Sequence, residues 1–313
     1  MSRAFVFPGQ GSQKVGMGGE LADAFPAARE VFEEVDDALE HKLFRLMREG
    51  PLDELTLTAN AQPALMASSI AVLKVLESES GQALDRMVAM VAGHSLGEYS
   101  ALVAAGALPL AETARLLRLR GDAMQAAVPA GEGAMAAILG LELDEVQAVV
   151  ADAAAIGVCA VANDNSPGQV VISGAKEAVE KASKLATERG AKRAMLLPVS
   201  APFHCPLMQP AAERMAEALD KTVIAAPAVP VMANVTAAPV SVPQTIRELL
   251  VEQVTATVRW REGVLAMKDH DIATLVELGT GKVLSGLTRR IDRDLEALSV
   301  ETPAEVEAAL KTF

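Results

Sequence analysis

The chain has 313 residues, 51% hydrophobic and 22% charged, enough for one large domain or two modest ones with ample core. Its net charge of −13 argues against a general affinity for nucleic acid or an anionic membrane, and an aromatic content of 3% argues against a base-stacking surface. Two cysteines, Cys159 and Cys205, suit a reducing compartment, and no apolar run is long enough for a membrane span or a signal peptide, so a cytoplasmic location is expected.

Ala4 to Phe7 is predicted to be a short buried strand, broken by Pro8-Gly9-Gln10-Gly11-Ser12-Gln13. Glycines on both sides of Gln10 make a tight loop, and without G-K-[ST] it is not a P-loop. It is either a plain strand exit or a loop holding the Gln10 amide near an active site, and the residues alone leave both readings open. Ala22 to Leu39 has helical spacing and an acidic, solvated face. Ala61-Gln62-Pro63-Ala64 opens a helix reaching about Glu77, with Pro63 near its first turn.

The most informative stretch follows. Val88 to Ala92 reads as a buried strand that ends abruptly in Gly93-His94-Ser95-Leu96-Gly97, and a helix over Glu98 to Ala105 begins at once. This is G-x-S-x-G between a strand and a helix, where a serine is forced into a strained turn with its hydroxyl exposed at the top of the sheet. The helix behind it aims free N–H groups at an oxyanion forming there. Ser95 is therefore the candidate nucleophile. The next helix, Pro109 to about Val128, carries Arg115, Arg118 and Arg120. Arg118 and Arg120 are two apart and do not share a face, and composition alone puts each arginine on the surface.

From Gly131 the pattern changes. Ala134 to Leu139 is a strand, Leu143 to Ala154 a helix, Gly157 to Ala162 a strand, and Asn163-Asp164-Asn165-Ser166-Pro167-Gly168 a turn. Gln169 to Ser173 is a strand, Lys176 to Arg189 a helix and Ala194 to Val199 the last strand. The order β-α-β-β-α-β is that of a ferredoxin-like unit. Residues 131–198 are thus expected to be a small subdomain inserted into a large α/β domain made of 1–130 and 199–313. Val199-Ser200-Ala201-Pro202-Phe203-His204-Cys205-Pro206 is a stiff, proline-bounded loop. A helix over Gln209 to Lys221, a strand over Val229 to Val235, a helix over Pro243 to Val254 and a strand over Thr274 to Leu278 complete the chain. The closing Gly279-Thr280-Gly281-Lys282 lacks a dinucleotide fingerprint and reads as a plain turn.

A serine nucleophile needs a base. His94 adjoins Ser95 on the sharp turn and should point elsewhere; His41 ends an acidic helix facing solvent; His270 lies in a polar connection. His204, in the stiff apolar loop, is the best base of the four. Cys205 is a weaker rival nucleophile, since it should point away from its neighbour His204. No Asp or Glu between Ser95 and His204 sits at a strand end, so a neutral group such as a backbone carbonyl or an amide is expected to orient the base. No metal-ligand spacing is present.

Phe7-Pro8-Gly9-Gln10-Gly11-Ser12-Gln13, Gly93-His94-Ser95-Leu96-Gly97-Glu98, Arg118-Leu119-Arg120-Gly121 and Pro202-Phe203-His204 occur in that order. With Ala61-Gln62-Pro63-Ala64 and Val251-Glu252-Gln253, they make the chain resemble malonyl-CoA:acyl-carrier-protein transacylases over nearly its whole length. It resembles the free-standing enzymes of type II fatty acid synthesis rather than a domain cut from a polyketide megasynthase. The resemblance implies an α/β-hydrolase-like core with a parallel sheet and a ferredoxin-like insertion. It implies Ser95 as acyl carrier, His204 as base, and Gln10 with the Leu96 backbone N–H as oxyanion hole. Arg120 would hold the malonyl carboxylate, and Gln253 would orient His204 through its backbone carbonyl. Gln62 and Asn163 would line the pocket, and the bulk of Phe203 would favour malonyl over methylmalonyl. Malonyl-CoA would be the substrate and acyl carrier protein the partner, its phosphopantetheine thiol receiving the acyl group. The protein itself would be a monomer with no bound cofactor or metal. Thr280, where the family often has proline, touches none of these positions. A serine esterase or thioesterase would need neither Arg120 nor a long-lived acyl-enzyme. Ser95 and His204 count against a non-catalytic carrier-binding module.

Overall fold

The computed structural model describes residues 2–199 and 201–312; Met1, Phe313 and Ser200 of the proline-bounded loop lie outside the described residues. In chain order its strands are β1 (Ser2–Phe7), β2 (Met90–Gly93), β3 (Gly133–Leu139), β4 (Cys159–Ser166), β5 (Gln169–Ala175), β6 (Arg193–Leu196), β7 (Val231–Met232), β8 (Pro239–Val240), β9 (Ile272–Leu278) and β10 (Glu296–Val300). They form a six-stranded sheet in the order β10-β9-β1-β2-β7-β8 and a four-stranded sheet in the order β4-β5-β3-β6. In the large sheet every pairing is parallel except the terminal β7–β8 pair, so the sheet is mostly parallel, as expected.

A parallel sheet must be covered on both faces, and alternation along β1 does this. Phe5 and Phe7, with Val91 of β2, face a core built on the helices Pro26–Leu39, Thr58–Ser80 and Leu110–Ala126. Ala4 and Val6, with Met90 and Ala92, face a second core holding Trp260, Val264 and Leu284. The Thr58–Ser80 helix is buried nearly all round, which explains its unbroken apolar content. It starts three residues before the predicted Ala61, which puts Pro63 in its second turn, where the ring deprives the carbonyl four residues earlier of its intrahelical donor.

The small sheet has antiparallel pairings in the strand order expected of a ferredoxin-like unit. The helices Leu143–Ala153 and Lys176–Glu188 cover one face, packing Val146, Val149, Val179 and Ala182 on Ala136, Ile138 and Ile172. Met135 and Val171 look the other way, into the core of the large sheet.

Residues 163–166 depart from expectation. They are not a turn but the bulged second half of β4, and the turn shrinks to Pro167-Gly168, where Gly168 has φ 66°. Their polarity serves contacts with the large sheet's elements. Asn163 bridges Val258, whose carbonyl accepts from the Asp164 N–H at 3.0 Å and whose N–H donates to Ala162 at 2.9 Å. Arg261 Nε pairs with the buried Asp164 at 2.9 Å. The strand expected over Val229 to Val235 is only Val231–Met232.

Candidate active site

The turn after β2 is made by close packing. A Cβ on Gly93 would lie 1.9 Å from the Gly97 carbonyl carbon, and one on Gly97 would lie 2.2 Å from the Phe7 carbonyl oxygen. Only glycine fits at either position, and Ser95 between them is held at φ 54°, a conformation non-glycine residues rarely adopt. The Ser95 N–H donates to Asn234 Oδ1 at 2.7 Å, so it is already engaged. The next N–H belongs to Leu96, the N-cap of the Gly97–Ala104 helix, whose first amides have no acceptor within the helix.

Ser95 Oγ lies 2.7 Å from His204 Nε2, and His204 Nδ1 lies 2.9 Å from the Gln253 carbonyl oxygen. The carbonyl can only accept, so Nδ1 carries the proton and Nε2 presents its lone pair to the serine. His204 also has a positive φ, 57°, a conformation that residues other than glycine rarely adopt. Burial, with the nearby charge of Arg120, pushes His204 down to about 3, so it is neutral at ordinary pH.

Arg120 is buried, not on the surface as composition suggested: it is 1% exposed. Its Nη1 donates to Gln62 Oε1 at 2.8 Å, and its Nη2 donates to Gln253 Oε1 at 2.9 Å and to Ser95 Oγ at 3.2 Å. Its Nε is buried without a hydrogen-bond partner. Arg118, on another face, donates to Asn60 Oδ1 at 2.7 Å and lies 3.2 Å from His41 Nδ1, so both are half-buried rather than free.

A cavity of about 450 Å³ opens over Ser95, between the two sheets. Gln10, Gln62, Leu96, Arg120, Asn163, Phe203 and His204 all line it. Gln10 reaches in from the loop after β1, its Nε2 donating to Thr58 Oγ1 at 3.2 Å. Gln253 is fully buried behind Arg120 and His204. Every site residue expected from the sequence therefore converges here. Of the other candidates, His94 also lines the cavity, whereas His270 and Cys205 do not. His94 turns from Ser95 towards Asn165, with Nε2 2.9 Å from its Oδ1, and burial lowers its pKa. His270 is exposed at the end of the Trp260–Asp269 helix. Cys205 is buried 3.1 Å from the Pro202 carbonyl, and burial raises its pKa. Among the described residues there is no cluster of His, Cys, Asp and Glu that could hold a metal ion, and no helix long and apolar enough to cross a membrane.

Two residues of the site were not foreseen. Glu98, 2% exposed in the first turn of the helix behind Ser95, accepts at Oε2 from Gln253 Nε2 at 2.8 Å and from the Asn234 N–H at 3.0 Å. Asn234 also donates through Nδ2 to the Gly93 carbonyl at 2.7 Å. Burial pushes Glu98 up to about 7 against the pull of these donors and of Arg120. A glutamate within an otherwise apolar helix was the available signal.

The model of the acyl transferase domain family matches residues 4–301. A malonyl CoA-acyl carrier protein transacylase of Bacillus subtilis is 49% identical over 311 residues, covering 99% of this chain and 96% of that one. The crystal structure of an acyl-carrier-protein S-malonyltransferase from Bartonella henselae superposes with a TM-score of 0.98 at 57% identity, covering 100% and 99% of the two chains. A malonyl-transacylase solved in complex with a type II polyketide acyl carrier protein superposes with a TM-score of 0.96 at 43% identity, covering 100% of both chains.

Proposed function

The chain belongs to the family of malonyl-CoA:acyl-carrier-protein transacylases, and we propose that Ser95 carries the malonyl group through its reaction. The enzyme is an acyl-carrier-protein S-malonyltransferase of fatty acid synthesis, with malonyl-CoA as donor and acyl carrier protein as acceptor. The 2.7 Å contact between Ser95 Oγ and His204 Nε2, with Nδ1 tied to a backbone carbonyl, is the observation that carries the reading.

Ser95 attacks the thioester carbonyl as His204 Nε2 takes its proton. The Leu96 N–H and the Gln10 amide donate to the oxyanion, the Ser95 N–H being occupied by Asn234. His204 then gives its proton to the departing CoA thiolate, leaving the malonyl ester. In the second half-reaction the carrier's phosphopantetheine thiol passes its proton to His204 and attacks the ester, and the proton returns to Ser95. Arg120 pairs with the malonyl carboxylate, for which its unpartnered Nε and the fork of its guanidinium are suited. Gln62 and Gln253 fix that fork from behind. Asn163 and Phe203 bound the acyl site, and the bulk of Phe203 favours malonyl over branched acyl groups.

Residues 131–198 are read as a unit inserted between 1–130 and 199–313, and the enzyme as a cytoplasmic monomer that needs no bound cofactor. The test of the site is direct. Incubation with malonyl-CoA should add one malonyl group per chain, mapped to Ser95 by peptide mass spectrometry, and Ser95→Ala should add none. Malonyl on any other residue, or on the Ser95→Ala protein, overturns the assignment.

A further inference from the structure

Arg120 is a buried cation, and Glu98 is the carboxylate that acts on it. The two are joined through one side-chain amide. Gln253 Nε2 donates to Glu98 Oε2 at 2.8 Å, and Gln253 Oε1 accepts from Arg120 Nη2 at 2.9 Å. The amide is thus oriented at both ends, and the chain carboxylate–amide–guanidinium ends at the cavity. The other titratable groups packed around it carry no compensating charge. Tyr99, on the same helix as Glu98, is pushed up to about 12 and stays neutral. His204, from the proline-bounded loop, and His94, from the turn after β2, are both held neutral by burial. Without substrate, an ionised Glu98 and Arg120 therefore balance.

Resting on the reading of Arg120 as the malonyl anchor, we propose that Glu98 is the internal counter-charge of Arg120 and takes up a proton from solvent when the substrate carboxylate arrives. A malonyl carboxylate on Arg120 brings a second negative charge to a site that holds one cation. Burying an excess charge is costly, and the site escapes that cost by neutralising the carboxylate it already contains. Glu98 is poised for this, because burial already brings its titration close to neutral pH. Acylation is otherwise proton-neutral: Ser95 loses one proton and the CoA thiol gains it. Any net uptake accompanies the carboxylate.

The experiment is a single turnover with enzyme in excess of malonyl-CoA, in weak buffer with a pH-indicator dye, normalised to malonyl-Ser95 measured by mass spectrometry. At pH 7.5–8 the wild type should take up roughly half a proton or more per malonyl-Ser95, and the uptake should fade below about pH 6, where Glu98 is already protonated. Glu98→Gln preserves a carbonyl oxygen for both donors and should show no uptake. In wild type the malonyl KM should rise about tenfold from pH 6.5 to 8.5, and this rise should be absent from Glu98→Gln. No uptake by wild type at any pH from 6 to 9, or equal uptake by Glu98→Gln, overturns the inference. Should the variant not fold, the wild-type uptake and its pH dependence decide alone. Failure to find malonyl on Ser95 would instead strike the underlying reading, so the two failures are distinct.

Discussion

Arg120→Ala removes a guanidinium that is 1% exposed and makes three side-chain hydrogen bonds, and the effect can be divided by substrate. A malonyl group loses a charge-assisted fork and leaves its own carboxylate unpaired in a buried site. Breaking one side of a buried pair costs about 3–5 kcal/mol. At about 1.4 kcal/mol per factor of ten, malonyl transfer should fall by roughly 10²- to 4 × 10³-fold in kcat/KM. An acetyl group has no carboxylate, but the variant is not silent towards it. The guanidinium also holds Gln253, whose carbonyl orients His204, and touches Ser95 Oγ at 3.2 Å. What acetyl transfer loses is the positioning of Gln253 and of Ser95 Oγ, about 1 kcal/mol each, so it should fall by about thirtyfold at most. The decisive quantity is the malonyl-to-acetyl ratio of kcat/KM, measured by transfer to carrier protein. It should drop at least tenfold in Arg120→Ala and recover in part in Arg120→Lys, which restores a point charge without the planar fork. If both substrates lose the same factor, Arg120 is scaffold and selectivity resides elsewhere.

His204 is held at about 3, so the base form persists as acid is added. Acylation by a carboxylate-free acyl-CoA should therefore show kcat/KM flat from pH 8 to about 5, and an inflection near the ordinary imidazole value would place the base elsewhere. Gly97→Ala would set a Cβ 2.2 Å from the Phe7 carbonyl oxygen, so stability to urea should fall by about 3 kcal/mol; a change within about 0.5 kcal/mol would refute the packing argument.

Much of the site was legible because its signals are local. A strand running into Gly93-His94-Ser95-Leu96-Gly97 specifies the turn that exposes Ser95, since only glycine can stand where the backbones meet. The β-α-β-β-α-β order of the small unit could be read from period and punctuation, as could the Gln209–Lys221 helix, which ends where expected. What was missed depends on tertiary partners. Asn163 to Ser166 has the composition of a turn, yet these residues extend β4 because Val258, Arg261 and His94 supply partners for them. The identity of Arg120 says surface; its burial is possible only because Gln62 and Gln253, 58 and 133 residues away, meet it. Glu98 and Asn234 matter through each other, 136 residues apart, and no local pattern joins them.

The polar half of β4 has a consequence for the kinetics. Through the Val258 backbone, the Arg261–Asp164 pair and the His94–Asn165 contact, it clasps the small sheet beside the nucleophile turn. One wall of the entrance is braced in this way. The donor's spent CoA and the carrier's incoming arm must pass through that entrance one after the other. Residual CoA should therefore compete with the carrier for the malonylated enzyme.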